Sequence, residues 1–244
     1  MKYKLNNNNF KDFTINIKEY FSNSFNSIHK ARNEIKIVDF KNKELVIKAF
    51  KVPNIINKII YTFFRDSKAK KSYKNSIKII NYVPNPISYI EFYKFGLLND
   101  SYFVSENFKY DFTIREPLLD KNFTDKEKIF KQFAKFTFKL HENDILHLDY
   151  SPGNILIKKE GSNYIFKIVD INRMQFKDLS LEERLKNFAK LWAKDEDLKI
   201  IIKEYAKIAN KDEQKCINIA FKYSQAHKDK KNIKKILKGK KIVD

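Results

Sequence analysis

The sequence predicts an α+β protein in two parts: a small antiparallel β-rich part with one helix over residues 1 to 107, then a mainly helical part over residues 108 to 227. Three observations predict it. Residues 35 to 50 and 87 to 107 each read as a pair of apolar-rich strands. A long helical pattern separates the two pairs. From residue 124 onward apolar residues recur at helical spacing, interrupted by a short strand pair.

The elements follow in order. IKIVDFKNKELVIKAF, residues 35 to 50, is a hairpin pattern joined at the polar FKNKE, and its second strand is expected to end on Lys48. Residues 55 to 81 read as one helix stopped by PNP at 84 to 86, because proline cannot continue a helical hydrogen-bond ladder. ISYIEFYKFG and SYFVSEN form the next strand pair, with LLND as the connection. Ile129, Phe130, Phe133, Phe136 and Leu140 then make the stripe of a helix for which Thr124 is the expected N-cap. NILIKK and YIFKIVD read as two strands around the turn EGSN, and residues 181 to 226 as helices. Residues 228 to 244 hold so many lysines that they read as a basic tail, solvated or in contact with something anionic.

Composition narrows the class. The hydrophobic share of 43% suffices for a core, and the 22 Phe and 13 Tyr fall at helix and strand spacing, as core aromatics do. A single cysteine, Cys216, excludes a disulfide framework, and four scattered histidines leave no zinc-like spacing. No apolar run suits a secretion signal or a membrane span, so a reducing, cytoplasmic setting is expected. The formal charge of +20 implies attraction to an anion: nucleic acid, an acidic membrane surface or a phosphorylated small molecule.

HLDYSPGNILI, residues 147 to 157, carries the chemistry. His147, Asp149 and Asn154 fit H-x-D-x-x-x-x-N between a helix and a strand, and the next strand ends on Asp170. Upstream, Lys48 stands on a strand before a long helix. This order is the one used by phosphoryl-transfer enzymes of the protein-kinase type. Transfer of a γ-phosphoryl group needs charge neutralisation and alignment rather than covalent help. Asn154 and Asp170 supply hard oxygens for Mg²⁺, Asp149 accepts the proton of the attacking hydroxyl, and Lys48 meets the nucleotide phosphates. Gly153 beside Pro152 is expected to provide unusual backbone angles in the turn. Each residue alone has a structural reading as turn former, strand-end cap or loop histidine; the ordered set favours the site.

These residues resemble the lipopolysaccharide core kinases, the Kdo and heptose kinase family with a two-lobed protein-kinase-like fold. VIKAFK at 46 to 51, SKAKKSYKNS at 67 to 76, LHENDILHLDYSPGNILI at 140 to 157 and VDINRM at 169 to 174 carry the resemblance. It implies Mg-ATP between a β-rich and a helical lobe, and transfer to a sugar hydroxyl of a glycolipid at the cytoplasmic face of a bacterial inner membrane. Only about ten residues separate Asp170 from the helix near Ser180, too few for a peptide-binding activation segment, and Leu148 replaces the Arg of H-R-D. Two departures stand out. No glycine precedes Gly96, leaving residues 24 to 36, with His29, Lys30 or Arg32, to cover the nucleotide; and no Glu on the following helix faces Lys48, for which Asp66 or Glu91 are the substitutes. The alternatives are an aminoglycoside or choline kinase type of phosphotransferase, disfavoured by the positive charge, and an inactive nucleotide-binding relative. A nucleic-acid partner has only basicity behind it.

Overall fold

Strand-forming sequence dominates the first part of the chain, and the computed structural model, which describes residues 1–30 and 33–237, resolves that part into one twisted sheet. The chain divides into two units: residues 1–109 together with 170–172, and residues 110–169 together with the chain from 173 onward.

In the first unit the elements run β1 (Lys2–Leu5), α1 (Lys11–Ile15), α2 (Ile17–Asn23), β2 (Ser27–Lys30), β3 (Glu34–Phe40), β4 (Lys43–Phe50), α3 (Ile55–Ile59), α4 (Lys68–Lys78), β5 (Pro86–Lys94) and β6 (Leu97–Glu106). The six strands pair antiparallel in the order β1-β5-β6-β4-β3-β2. The predicted hairpin is β3–β4, closed with Phe40 opposite Lys43 by Lys41 and Asn42, whose φ values of 48° and 62° suit the tight turn that matches strand twist. Side chains alternate across the sheet. Leu45 and Ile47 of β4 join Phe10, Phe13 and Ile17 in the core on one face, while Phe50 joins Ala69 and Tyr73 of α4 on the other. Lys48, in register with Phe50, therefore lies on the α4 face.

Three expectations for this unit are corrected. The single helix over 55 to 81 is broken: α3 runs into a π-helical turn at Ile60–Phe64, Arg65 is extended, and α4 starts afresh on Ser67, whose hydroxyl accepts from the Lys70 N–H at 3.1 Å. Ser67 is an N-cap inside what periodicity reads as continuous helix. The β5–β6 turn is Phe95–Gly96 (φ 52° and 75°) rather than LLND, which lies in β6. The sheet also carries more helix than the one expected, because α1 and α2 cover its second face.

The second unit contains β7 (Phe112–Thr113), α5 (Arg115–Leu119), α6 (Lys126–Glu142), β8 (Ile145–His147), β9 (Ile155–Glu160), β10 (Asn163–Ile168), β11 (Met174–Phe176), α7 (Leu181–Asn187), α8 (Asp195–Ile208) and α9 (Glu213–Ile236). Strands β10, β9 and β7 form one small sheet, β11 and β8 another. The α6 stripe is as the sequence suggests: Ile129, Phe130, Phe133 and Leu140 are buried, and α6 packs on α8, which buries Leu198, Ile201, Ile202 and Tyr205. Each such side chain contributes roughly 1.5–3 kcal/mol of transfer free energy. Thr124 is not the cap. Asp125 occupies that position with φ 60°, and its carboxylate accepts from the Tyr164 hydroxyl at 2.8 Å instead of from the helix. Ser180 caps α7 in a reciprocal pair with Glu183. Helix α9 continues through residues 228 to 236, which the sequence reading assigns to a tail: Lys228 lies 3.8 Å from Asp195 and Lys235 stands over the Trp192 ring. The rest of that tail, residues 238–244, lies outside the described residues.

Candidate phosphoryl-transfer site

The turn after β8 is held by its own backbone and by one histidine. The ring of His147 is almost fully buried; its Nδ1 accepts from the Asp149 N–H at 3.0 Å and its Nε2 meets the Val169 carbonyl at 3.0 Å. Because an N–H can only donate and a carbonyl can only accept, Nε2 carries the proton and the imidazole is neutral. His147 thus holds the Asp149 backbone and the end of the β10 segment at once, a positioning role. The Val169 N–H donates to the Asn154 carbonyl at 2.9 Å, and the chain passes from Val169 straight into Asp170.

Asn154 is oriented by a donor. Its Nδ2 gives a hydrogen to the Asp149 carbonyl at 2.9 Å, which fixes the amide so that Oδ1 is the end left for a cation. The carboxylate of Asp149 is partly exposed, with Arg173 Nη1 3.9 Å from Oδ2. Tyr150, the next residue, is the anchor: it is fully buried, stacks on Phe133 at 5.7 Å, and its hydroxyl lies 2.8 Å from Thr137, whose own hydrogen goes to the Phe133 carbonyl. The Tyr150 O–H is therefore the donor in that pair.

A directional chain of hydrogen bonds supports β8 from behind. The Tyr205 hydroxyl meets His141 Nδ1 at 2.8 Å, His141 Nε2 meets the Asn187 side-chain oxygen at 3.3 Å, and Asn187 Nδ2 donates to the His147 carbonyl at 2.9 Å. The last bond fixes the amide, so His141 donates from Nε2 and accepts the Tyr205 proton at Nδ1. Burial pushes the His141 pKa down to about 4, against the opposing pull of its bond to Asn187.

In the first unit Lys48 Nζ and Asp170 Oδ1 are 2.6 Å apart, and Asn172 Nδ2 donates to the same oxygen at 2.7 Å. The two substitutes suggested for the missing helix Glu do not fill that role: Asp66 pairs with Lys70 and Lys74, each at 2.7 Å, and buried Glu91 accepts from the Tyr93 hydroxyl at 3.0 Å. Around Ser72, where an acid is expected, α4 carries none; three residues on, Asn75 is buried and its Nδ2 donates to the Ile171 carbonyl at 2.7 Å. The helix thus grips the backbone next to Asp170 instead of the lysine.

The structure therefore brings His147, Asp149 and Asn154 into one turn of the second unit, and Lys48 and Asp170 into direct contact in the first. His29 pairs with Ile35 on the edge strand β2, whereas Arg32 and the side chain of Lys30 lie outside the described residues. Gly153 does not have the left-handed φ expected of it. Its need is steric: a Cβ there would stand 2.6 Å from Nη2 of Arg115. Arg115 is one residue that motif reading misses; Lys190 is another. Burial lowers the Lys190 pKa first, Lys231 adds to the effect, and Asp149 opposes it, with Lys230 and Arg173 also acting on the amine. Arg173 and Lys190 thus act on Asp149 from segments distant from it in sequence, with no local spacing to announce them.

The amide oxygen of Asn154 and the carboxylate of Asp170 are each of the hard kind that Mg²⁺ prefers. Among the described residues no group of three or more His, Cys, Asp or Glu is arranged to hold a metal by itself.

No family model matches the sequence, and neither does any curated protein. Solved structures do match in shape. One is WaaP in complex with acyl carrier protein, 12% identical, matched over 93% of this chain and 99% of that one with a TM-score of 0.59. The chain has a kinase-like fold. At 12% identity the likeness is one of fold. Another match is the Rio2 kinase from Chaetomium thermophilum in its ADP/Mg²⁺-phosphoaspartate complex, 16% identical over 83% of this chain and 61% of that one, with a TM-score of 0.47. Among the described residues no helix is long and apolar enough to cross a membrane.

Proposed function

We propose that the chain is an ATP-dependent phosphotransferase that moves the γ-phosphoryl group onto a sugar hydroxyl, with the inner core of lipopolysaccharide as the acceptor. The observation that carries the reading is the turn at 147–154, whose neutral histidine and oriented amide leave a partly exposed carboxylate on Asp149 and an oxygen on Asn154 in kinase-like order with Asp170. The kinase-like fold supports it. Lys48 receives the nucleotide phosphates, exchanging its bond to Asp170 for them. Asp170 and Asn154 would hold a magnesium ion, which when bound would neutralise and orient phosphate oxygens. Asp149 accepts a hydrogen bond from the acceptor hydroxyl, aligns its oxygen, and takes the proton as the new bond to the γ-phosphorus forms and the bond from that phosphorus to the bridging oxygen breaks, releasing ADP. Lys190, Arg173 and the Lys230–Lys231 pair favour an acceptor that is itself anionic and disfavour cationic aminoglycosides or choline.

The test is ATP consumption by purified protein offered dephosphorylated lipopolysaccharide core or a panel of sugars and amines. Mg²⁺-dependent turnover is expected with the anionic glycolipid, falling by on the order of a hundredfold or more in Asp149→Ala, the scale for losing a general base. Unchanged turnover in that variant removes Asp149 from the mechanism. One observation favours a second reading, an inactive nucleotide-binding relative: α4 carries no acid, and its buried Asn75 holds the Ile171 carbonyl. ATP binding that shifts the melting temperature without any consumption would select it.

A further inference from the structure

Helix α3 and the π-helical turn that follows it are turned inside out. Their polar edge faces the protein: Lys58 Nζ donates to the Asn99 side chain at 2.9 Å, the Thr62 hydroxyl donates to the Lys58 carbonyl, and the Leu98 N–H donates to Thr62 Oγ1 at 2.9 Å, so that β6 holds the segment by hydrogen bonds. Their apolar edge faces out. Ile55, Ile56 and Ile59 are 61%, 65% and 42% exposed, and Phe63 and Phe64 are 68% and 78% exposed. Ile55, Ile56, Ile59 and Phe63 recur at the spacing that lines up one side of a helix. At the β5–β6 turn, three residues before Leu98, Phe95 is 93% exposed beneath the Lys94 amine. In a chain whose other large side chains are mainly core, so many exposed apolar groups on adjoining elements form a binding face.

We propose that this face docks on an anionic phospholipid bilayer, with Ile55, Ile59, Phe63, Phe64 and Phe95 entering the interface between headgroups and acyl chains. Charge selects the occupant. Lys51 and Lys68 line a cavity of about 340 Å³ alongside Asn54, Asn57 and Tyr61 of the same segment, and Arg65, which follows the π-helical turn, and Lys94, next to Phe95, are exposed. The nearby acid, Asp66, is already neutralised by Lys70 and Lys74. An apolar strip with a cationic margin is the pattern of segments that lie in a membrane surface, where lysines meet lipid phosphates. A second copy would set two such margins, in a chain of net charge +20, against each other. Nucleic acid would use the lysines and leave the isoleucines and phenylalanines in water. The proposal does not depend on phosphotransfer, and it places the contact on the first unit and not on the lysine-rich C-terminal segment.

The full-length chain is sedimented with phosphatidylcholine vesicles, with and without about a quarter phosphatidylglycerol. Binding is expected to the anionic vesicles, weakening as salt is raised, and to fall by on the order of tenfold or more in Phe63→Ser/Phe64→Ser, whose melting should match the wild type because both side chains are exposed. Lys51→Glu/Lys68→Glu should lose the preference for anionic lipid. A Phe64→Trp variant should shift its fluorescence to the blue on binding, which a purely electrostatic contact would not cause. Absence of vesicle binding, or binding that both double variants retain, overturns the proposal. So does a wild-type dimer that becomes monomeric in the phenylalanine variant without any affinity for vesicles.

Discussion

At Gly153 the missing side chain makes room for a cation. An alanine there would press on the Arg115 guanidinium, a flexible group that can swing away, and Gly153 has no left-handed φ to strain. Gly153→Ala is therefore expected to cost only about 1 kcal/mol, the low end for overpacking, and to cost less when Arg115 is also alanine. Urea unfolding of the two single variants and the double variant measures that difference. Equal costs in both backgrounds would mean that the contact does not decide the residue. Residues at this scale were unequally legible in the sequence. Asp149 and Asn154 stand out because a turn places its own members by local spacing. Arg115, Lys190 and Asn75 reach their positions through folding, from segments whose own sequence has the periodicity of ordinary helices, so no pattern marks them.

At the scale of elements, the turn and helix α6 are joined by one aromatic. Tyr150→Ala would open a cavity against Phe133 as well as remove the proton donated to the Thr137 hydroxyl, a loss of about 3–5 kcal/mol, whereas Tyr150→Phe removes only that donor and should cost about 1 kcal/mol. Thermal melts compare the two, and a similar loss in both would show that the hydrogen bond, not the packing, holds the turn. The elements themselves were largely readable: alternation marked β3, β4, β9 and β10, and the 3.6-residue stripe marked α6. Two errors fell at boundaries. Serine inside a helical pattern restarted the chain as α4, and a Phe–Gly pair in the left-handed region turned β5 into β6 earlier than the more polar LLND suggested. α1 and α2 were missed because each is too short to show a period.

For the whole molecule, acid should reveal the buried hydrogen-bond chain behind β8. His141 titrates near its usual 6.5 when unfolded and at about 4 when folded, so the unfolded chain binds the extra proton first. Stability from this group is complete above pH 6.5 and is lost as pH falls towards 4, by on the order of 3 kcal/mol. Denaturation midpoints of the wild type and His141→Gln, followed across that window, isolate the effect from carboxylates such as Asp66 and Glu183, whose lowered pKa values act in both proteins. Parallel curves would refute the assignment. The fold class and the division into a sheet-rich and a helix-rich part were plain in the sequence, because patterning over a hundred residues averages out local error. The approach of Arg173 and Lys190 to Asp149 was not, since it arises only in three dimensions.

The tripeptide 170–172 belongs with the first unit although the chain on either side belongs with the second. Any attempt to dissect the protein at residue 109 and study the amino-terminal piece in isolation would amputate that tripeptide, taking away the carboxylate that Lys48 meets and the carbonyl that Asn75 holds. Such a piece should regain its native lysine environment only when a peptide spanning the excised stretch is added back, which makes complementation in trans a direct assay of how that tripeptide is retained.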